Sequence, residues 1–183
     1  MTLGDGKRKV LMLIDEYSSG GTISVDADIE AKMADFFDQA QKDVAQHKRI
    51  ERLFEVEREQ GMTAYELPAD YISLKAVWIG GKKSNRFGFK AGKIVIPENE
   101  TEPVEVEYFA APKTINGSTP DSYEFEVAPD AAECLPYFVA AQQLIVDLVV
   151  DYGALLQLYM TKVNQLDLRG SGIRLHNTFY RGG

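Results

Sequence analysis

Six consecutive residues, Gly88-Phe89-Lys90-Ala91-Gly92-Lys93, look at first like a phosphate-binding loop. That loop needs a wider gap between its glycines and a Ser or Thr after its Lys, because backbone amides build the cradle and the hydroxyl holds magnesium. Here the gap is Phe89 to Ala91 and Ile94 follows the Lys, so a β-turn is the expected structure. Carboxylates crowd together at Asp15 and Glu16 and again at Glu55, Glu57 and Glu59. Acid–base or nucleophilic chemistry there would require a neighbouring Ser, Cys or His in a nucleophile pattern, and solvated faces are expected instead. Cys134 stands beside Leu135 and Pro136 at a helix start, where burial is the expected fate of a free thiol. His47 falls near the end of a helix and suits its dipole, whereas His176 has no second ligand at usable spacing. One cysteine and two histidines exclude an intramolecular disulfide and any multi-cysteine zinc site. The Asn99-Glu100-Thr101 and Asn116-Gly117-Ser118 triplets fit the glycosylation pattern but read as loop composition. These residues imply no enzyme, cofactor or metal.

Composition bounds the remaining choices. A chain of 183 residues, 45% apolar and 26% charged, suits one globular domain, or one domain with an insertion. No uncharged apolar stretch approaches the ~20 residues of a membrane span, and no charged-then-apolar signal opens the chain, so cytosolic synthesis without membrane contact is expected. The net charge of −8 argues against general nucleic-acid binding, which rests on clustered cations. The charges are unevenly spread. Tyr71 to Lys93 holds Lys75, Lys82, Lys83, Arg86, Lys90 and Lys93 without an acid, whereas Ile94 to Glu133 holds ten acids against Lys113. With Trp78, Phe87 and Phe89 interleaved, the basic stretch could contact nucleic acid. A lysine-guarded sheet edge, or an electrostatic contact with an acidic neighbouring subunit, fits the overall charge better.

Several elements must position these residues. Thr2 and Asp5 have capping-box spacing ahead of Val10, Leu13, Ile14 and Tyr17, which predicts a first helix ended by Gly20 and Gly21. Asp26 or Asp28 caps a second, with its stripe at Ile29, Met33, Phe36, Phe37, Ala40 and Val44, to about Arg49. From Ile50 the apolar period shortens. Gly80-Gly81 is expected to turn Lys75–Ile79 back onto Arg86–Phe89, and Ala91-Gly92 to return the chain through Lys93–Ile96. Val104, Val106 and Tyr108 alternate with Glu105, Glu107 and Phe109 as a further strand, and two loops, Pro97 to Pro103 and Pro112 to Pro120, are expected to be exposed. A short turn at Asp130 to Cys134 precedes a helix from Pro136 to about Val149, with an apolar face of Phe138, Ala141, Leu144, Ile145 and Leu148. A last helix, Tyr152 to Leu166, carries Leu155, Leu156, Tyr159, Val163 and Leu166. Beyond Asp167 the chain is basic and glycine-rich, without acids, and is expected to be disordered when alone. The fold class is therefore α+β: a bundle of about four helices with an inserted antiparallel β element and an extended C-terminal tail. Its divisions are 1–49, N-terminal helices; 50–127, β insertion; 128–167, C-terminal helices; and 168–183, tail.

This succession, with Leu67-Pro68-Ala69-Asp70-Tyr71, Phe87 to Ile94, Tyr123-Glu124-Phe125-Glu126-Val127 and above all Cys134-Leu135-Pro136-Tyr137-Phe138-Val139-Ala140-Ala141, resembles the head-tail connector (adaptor) proteins of tailed bacteriophages. The resemblance covers most of the chain. It implies a helical bundle, a homo-oligomeric ring of about twelve copies beneath the portal protein, and a far side offered to the stopper or tail-completion protein. DNA would pass through the ring without specific binding. The protein would reside in the virion at the head–tail interface after assembly in the host cytoplasm. The insertion is longer than in the smallest members. A small DNA-binding or packaging-associated regulator is the alternative, but its recognition helix should carry Arg, Lys, Asn and Gln near its start, and Ile29 to Val44 carries only Lys32 and Lys42 against four acids. A hydrolase lacks a nucleophile with an orienting base.

Within the connector reading, the tail residues Arg169, Arg174, Phe179, Tyr180 and Arg181 are expected to bind the portal, by bidentate pairing with carboxylates and by apolar anchoring. Lys82, Lys83, Arg86 and Lys90 are expected at the contact between subunits, against the acidic stretch of a neighbour. Glu98, Glu100, Glu102, Glu105 and Glu107 are candidates for an acidic channel lining that repels phosphate.

Overall fold

The computed structural model describes residues 1–17, 27–146 and 152–170. Among them the N-terminal capping box forms as expected. The Thr2 amide donates to Asp5 Oδ2 at 3.0 Å and the Asp5 amide to Thr2 Oγ1 at 3.1 Å, opening α1, Leu3–Tyr17. The Leu3 amide also donates to the Tyr123 carbonyl at 2.8 Å, stitching the N-terminus to the segment ahead of the last helices. α2, Ala27–His47, buries Met33, Phe37, Ala40 and Val44 at the expected spacing. It approaches α1 at Gly6, where a Cβ would stand 2.8 Å from Phe37 Cζ, so only glycine fits. Gly20, Gly21 and Asp26, the predicted helix stop and one of the two candidate caps, lie outside the described residues, and Asp28, the other candidate, already falls within α2.

The C-terminal helices are α3, Pro129–Ala132, a single turn; α4, Leu135–Val146; and α5, Tyr152–Gly170. α4 differs from the one-faced helix expected. Leu135, Val139, Ala140, Ala141, Gln143 and Leu144 are all buried, while Phe138 is half-buried and Ile145 exposed; Leu148 lies outside the described residues. The reason is position: α4 packs against α1, α2 and α5 together, and a surrounded helix must be apolar nearly all round. α5 buries Leu155, Tyr159, Val163 and Leu166 as its period predicts. It also continues to Gly170, so residues 168–170, assigned to the tail by sequence, are helical. Leu168 and Arg169 are good helix formers, which lets the helix run past Leu166.

Between the two helical segments lie β1, Ile50–Glu55; β2, Ala64–Tyr65; β3, Tyr71–Ile79; β4, Lys82–Ser84; β5, Gly88–Lys90; β6, Lys93–Val95; and β7, Val104–Ala110. They form a four-stranded sheet in the order β1-β7-β3-β4 and a three-stranded sheet in the order β2-β6-β5, all antiparallel. Both glycine turns are present. Gly80 and Gly81 take φ of 56° and 74°, and Ala91 and Gly92 take 51° and 78°, the left-handed pairs that tight hairpins require. The partner of the first hairpin is corrected. β3 pairs with Lys82–Ser84, and Gly88–Lys90 leaves to join the second sheet. A two-residue turn brings back its immediate neighbours first, which decides the pairing. β7 alternates buried and half-buried residues along its whole length, as its sequence indicates.

Two apolar cores result. One fills the helical bundle and also takes in Ile115, Phe125 and Val127. The other, including Val56, Tyr65, Val77, Ile94, Ile96, Val104, Val106 and Tyr108, joins the two sheets, and Ile50 packs against both cores. The loop 112–120 is only partly exposed, because Ile115 is plugged into the bundle core with its amide on Asp38 Oδ1 at 2.9 Å. Among the described residues no helix is long and apolar enough to cross a membrane.

Candidate interaction surfaces

The β element is joined to the bundle by a run of polar contacts. Gln41 of α2 is fully buried; its Nε2 donates to the Lys113 carbonyl at 3.2 Å and its Oε1 accepts the Glu126 amide at 3.0 Å. The Glu126 carboxylate then accepts the Lys113 amide at 2.7 Å and pairs with Arg52 of β1 at 2.9 Å. Arg52 also pairs with Asp70, which accepts the Tyr108 hydroxyl at 3.1 Å. Burial pulls the Arg52 guanidinium down, but Glu126 and Asp70 outweigh it and raise its pKa overall, so the charge persists. Lys48 donates to both Asp130 oxygens at 2.7 Å, tying the end of α2 to α3. A charged residue between Ile50 and Phe54 on the inward side of β1 is the signal available in the sequence. Its carboxylate partners come from distant segments and carry no local signal.

The predicted site residues separate into groups. Lys82 and Lys83 stand exposed on β4 and Lys90 on β5, so the single cationic hairpin expected is divided between two sheets. None of these three forms an ion pair among the described residues. Arg86, by contrast, lies 3.5 Å from Glu100 Oε2. Other charges of the basic stretch are answered within the chain as well: Lys75 by Glu107 at 2.8 Å and Glu51 at 2.5 Å, and Lys93 by Glu66 at 2.6 Å. Much of the opposite charge expected to act between copies is thus satisfied inside one copy.

Of the acidic candidates, Glu98 and Glu102 are exposed and Glu105 half-buried. Glu100 departs from the exposed surface expected. It is 7% exposed, and its Oε1 accepts the amides of Thr101 at 3.1 Å and Glu102 at 3.3 Å, so it shapes its own loop. Glu107 is engaged by Lys75 and by Trp78 Nε1 at 3.4 Å; the hydrogen bond from Lys75, ahead of that from Trp78, holds its carboxyl below the usual range. Arg169 falls in the last turn of α5, and Arg174, Phe179, Tyr180 and Arg181 lie outside the described residues.

Cys134 is buried, as expected, and burial pushes its thiol pKa up, away from reactivity. Tyr159, 4% exposed, donates to Asp43 at 2.5 Å, and burial followed by that carboxylate raises its phenol far above its ordinary value, so it stays a neutral clamp between α5 and α2. Among the described residues no group of three His, Cys, Asp or Glu side chains could hold a metal ion.

A cleft of about 560 Å³ opens where α2 meets the larger sheet, lined by Lys42, Ala45, Arg49, Ile72, Phe109 and Pro112 among others, without an acid. Arg49 lies over the Phe109 ring at 4.7 Å. Sequence reasoning singled out neither Arg49 nor Ile72; the break of alternation at Ile72, exposed at 62% within a strand, is the signal that marks this surface. No family model and no curated protein matches the chain.

Proposed function

We propose that the chain is a structural protein of the phage neck, forming a ring beneath the portal that joins the DNA-filled head to the tail or stopper and lets DNA pass. The reading rests on the order of segments described above and on one structural observation that agrees with it. A separately cored β element, welded to a helical body through Arg52 and Gln41, holds Lys82, Lys83 and Lys90 outward without an ion pair among the described residues. Outward cations on an acidic chain suit contact with the acids of a neighbouring copy in a head-to-tail arrangement. In this arrangement the tail beyond Gly170 reaches the portal, and Glu98 and Glu102 belong to the acidic surface that DNA passes.

Electron microscopy of the protein mixed with portal tests this directly. A closed ring with the portal's subunit number is the expected result, and portal particles bearing scattered single copies under excess protein would overturn it. Gel shifts with random duplex at low salt separate the reading from a DNA-binding regulator. A connector should leave the duplex unshifted, and tight binding would favour the regulator.

A further inference from the structure

The outward side of the larger sheet carries unmatched charge at both ends: Arg49 at one, and Glu55 and Glu105 at the other, where Lys83 of β4 stands in the same row two strands from Glu105. At one end Arg49 lies over Phe109 with its Cζ 4.7 Å from the ring centroid, beside Ile72, which is 62% exposed. This guanidinium has no carboxylate partner among the described residues, so its hydrogen-bonding edge is open to a bidentate acceptor. At the other end Glu55 of β1 and Glu105 of β7 are direct cross-strand partners. Like charges so placed have Cβ atoms roughly 5 Å apart and destabilise the ladder unless a cation meets them. Neither has an ion pair among the described residues. Leu53, 60% exposed and in register with Glu107, lies midway between the two ends.

Along β7 the positions Phe109 and Glu105 are separated by about 13 Å. A two-fold axis through the Leu53 row therefore lays the cationic end of one sheet on the acidic end of an identical sheet, and does so twice. We propose that this sheet face is a docking surface for a second copy of the chain, paired antiparallel, with Arg49 of each copy meeting Glu55 and Glu105 of the other across the two Leu53 side chains. Both complementary halves occur on one face at one spacing, which is what an isologous contact requires and what an unrelated acidic partner would not explain. The face spans four strands, on the order of 300 Å² per copy, below the ~800 Å² of a stable interface, so the dimer is weak and salt-sensitive. The contact is distinct from a head-to-tail ring and stands or falls separately from the neck reading.

Sedimentation velocity up to about 1 mM protein, at ionic strengths of about 0.01 M and about 0.15 M, reads it out. The wild-type chain should dimerise reversibly, and less at the higher ionic strength. Arg49→Glu alone, and Glu55→Arg with Glu105→Arg, should each weaken association about tenfold or more. Mixing these two variants should restore a dimer, since each copy then offers the charge its partner lacks. Circular dichroism establishes that both variants are folded. A wild-type chain that stays monomeric at low ionic strength, a dimer indifferent to Arg49→Glu, or folded variants whose mixture fails to associate would each overturn the proposal.

Discussion

Gly6 and Gln41 show how single side chains set the approach of whole helices. At Gly6 a methyl group would meet the ring of Phe37, which is fully buried and has no room to retreat. Overpacking of this kind costs about 1–3 kcal/mol, against at most ~1 kcal/mol gained from alanine's better helix propensity. Gly6→Ala is therefore expected to lower the urea midpoint, and an unchanged or raised midpoint would mean that α1 can shift away from α2 at no cost. Gln41 is the only buried residue of α2 that bonds both the Lys113 carbonyl and the Glu126 amide among the described residues. Gln41→Met roughly keeps the volume and removes both bonds, with a third from Nε2 to the Tyr123 hydroxyl at 3.4 Å, leaving two backbone groups short of partners. A loss of about 1–3 kcal/mol is expected in equilibrium denaturation, with helix content by circular dichroism retained.

At the scale of elements, the ion pair from α2 to α3 makes stability depend on acid. Hydrogen bonds from Lys48 hold the Asp130 carboxyl below its ordinary value; those from Lys75 do the same for Glu107, and the Thr2 amide does so for Asp5. Each group is easier to ionise folded than unfolded, so its stabilisation is complete above the unfolded carboxylate pKa, near pH ~4, and is lost as pH falls through the lower folded value. The melting temperature is expected to be level from about pH 7 to about pH 5 and to fall below about pH 4. Asp130→Asn should lower stability at neutral pH and make the acid decline shallower; an acid decline as steep as that of the wild type would remove Asp130 from the account. The β5–β6 turn offers a prediction of opposite sign. Ala91 holds φ of 51°, where an L side chain costs roughly 1–2 kcal/mol and asparagine is better tolerated. Ala91→Asn ahead of Gly92 is expected to raise the melting temperature by a few degrees, on the order of 0.5–1 kcal/mol.

For the molecule as a whole, the neck reading separates the folded body from its attachment. The last described helix ends at Gly170, beyond the apolar positions Val163 and Leu166 that anchor it. Truncation after Gly170 should leave circular dichroism and melting temperature nearly unchanged while abolishing co-sedimentation with portal. A truncated protein that still joined portal as well as the intact one would take the tail out of the contact. Lys82→Glu with Lys83→Glu and Lys90→Glu should likewise spare the melt and reduce ring occupancy on portal, most clearly at low salt, because exposed charges act over about a Debye length.

What the sequence determined by itself is what neighbouring residues settle among themselves. The Thr2–Asp5 capping box, the helical periods through Val44 and from Leu155 to Leu166, the glycine turns at Gly80-Gly81 and Ala91-Gly92, and the alternation of β7 all follow from local spacing and are present as expected. Only the tertiary structure decided which distant groups meet. It sent Gly88–Lys90 to a second sheet, wrapped α4 on three sides, turned Glu100 inward and brought Arg52 between Asp70 and Glu126. It also answered Lys75, Arg86 and Lys93 with carboxylates of the same chain. A stretch of sequence reports its charge and its period. Whether that charge is spent within the fold or left for a partner depends on long-range packing, and so the surfaces at Lys82, Lys83 and Lys90 and at Arg49 emerge only after the chain has folded.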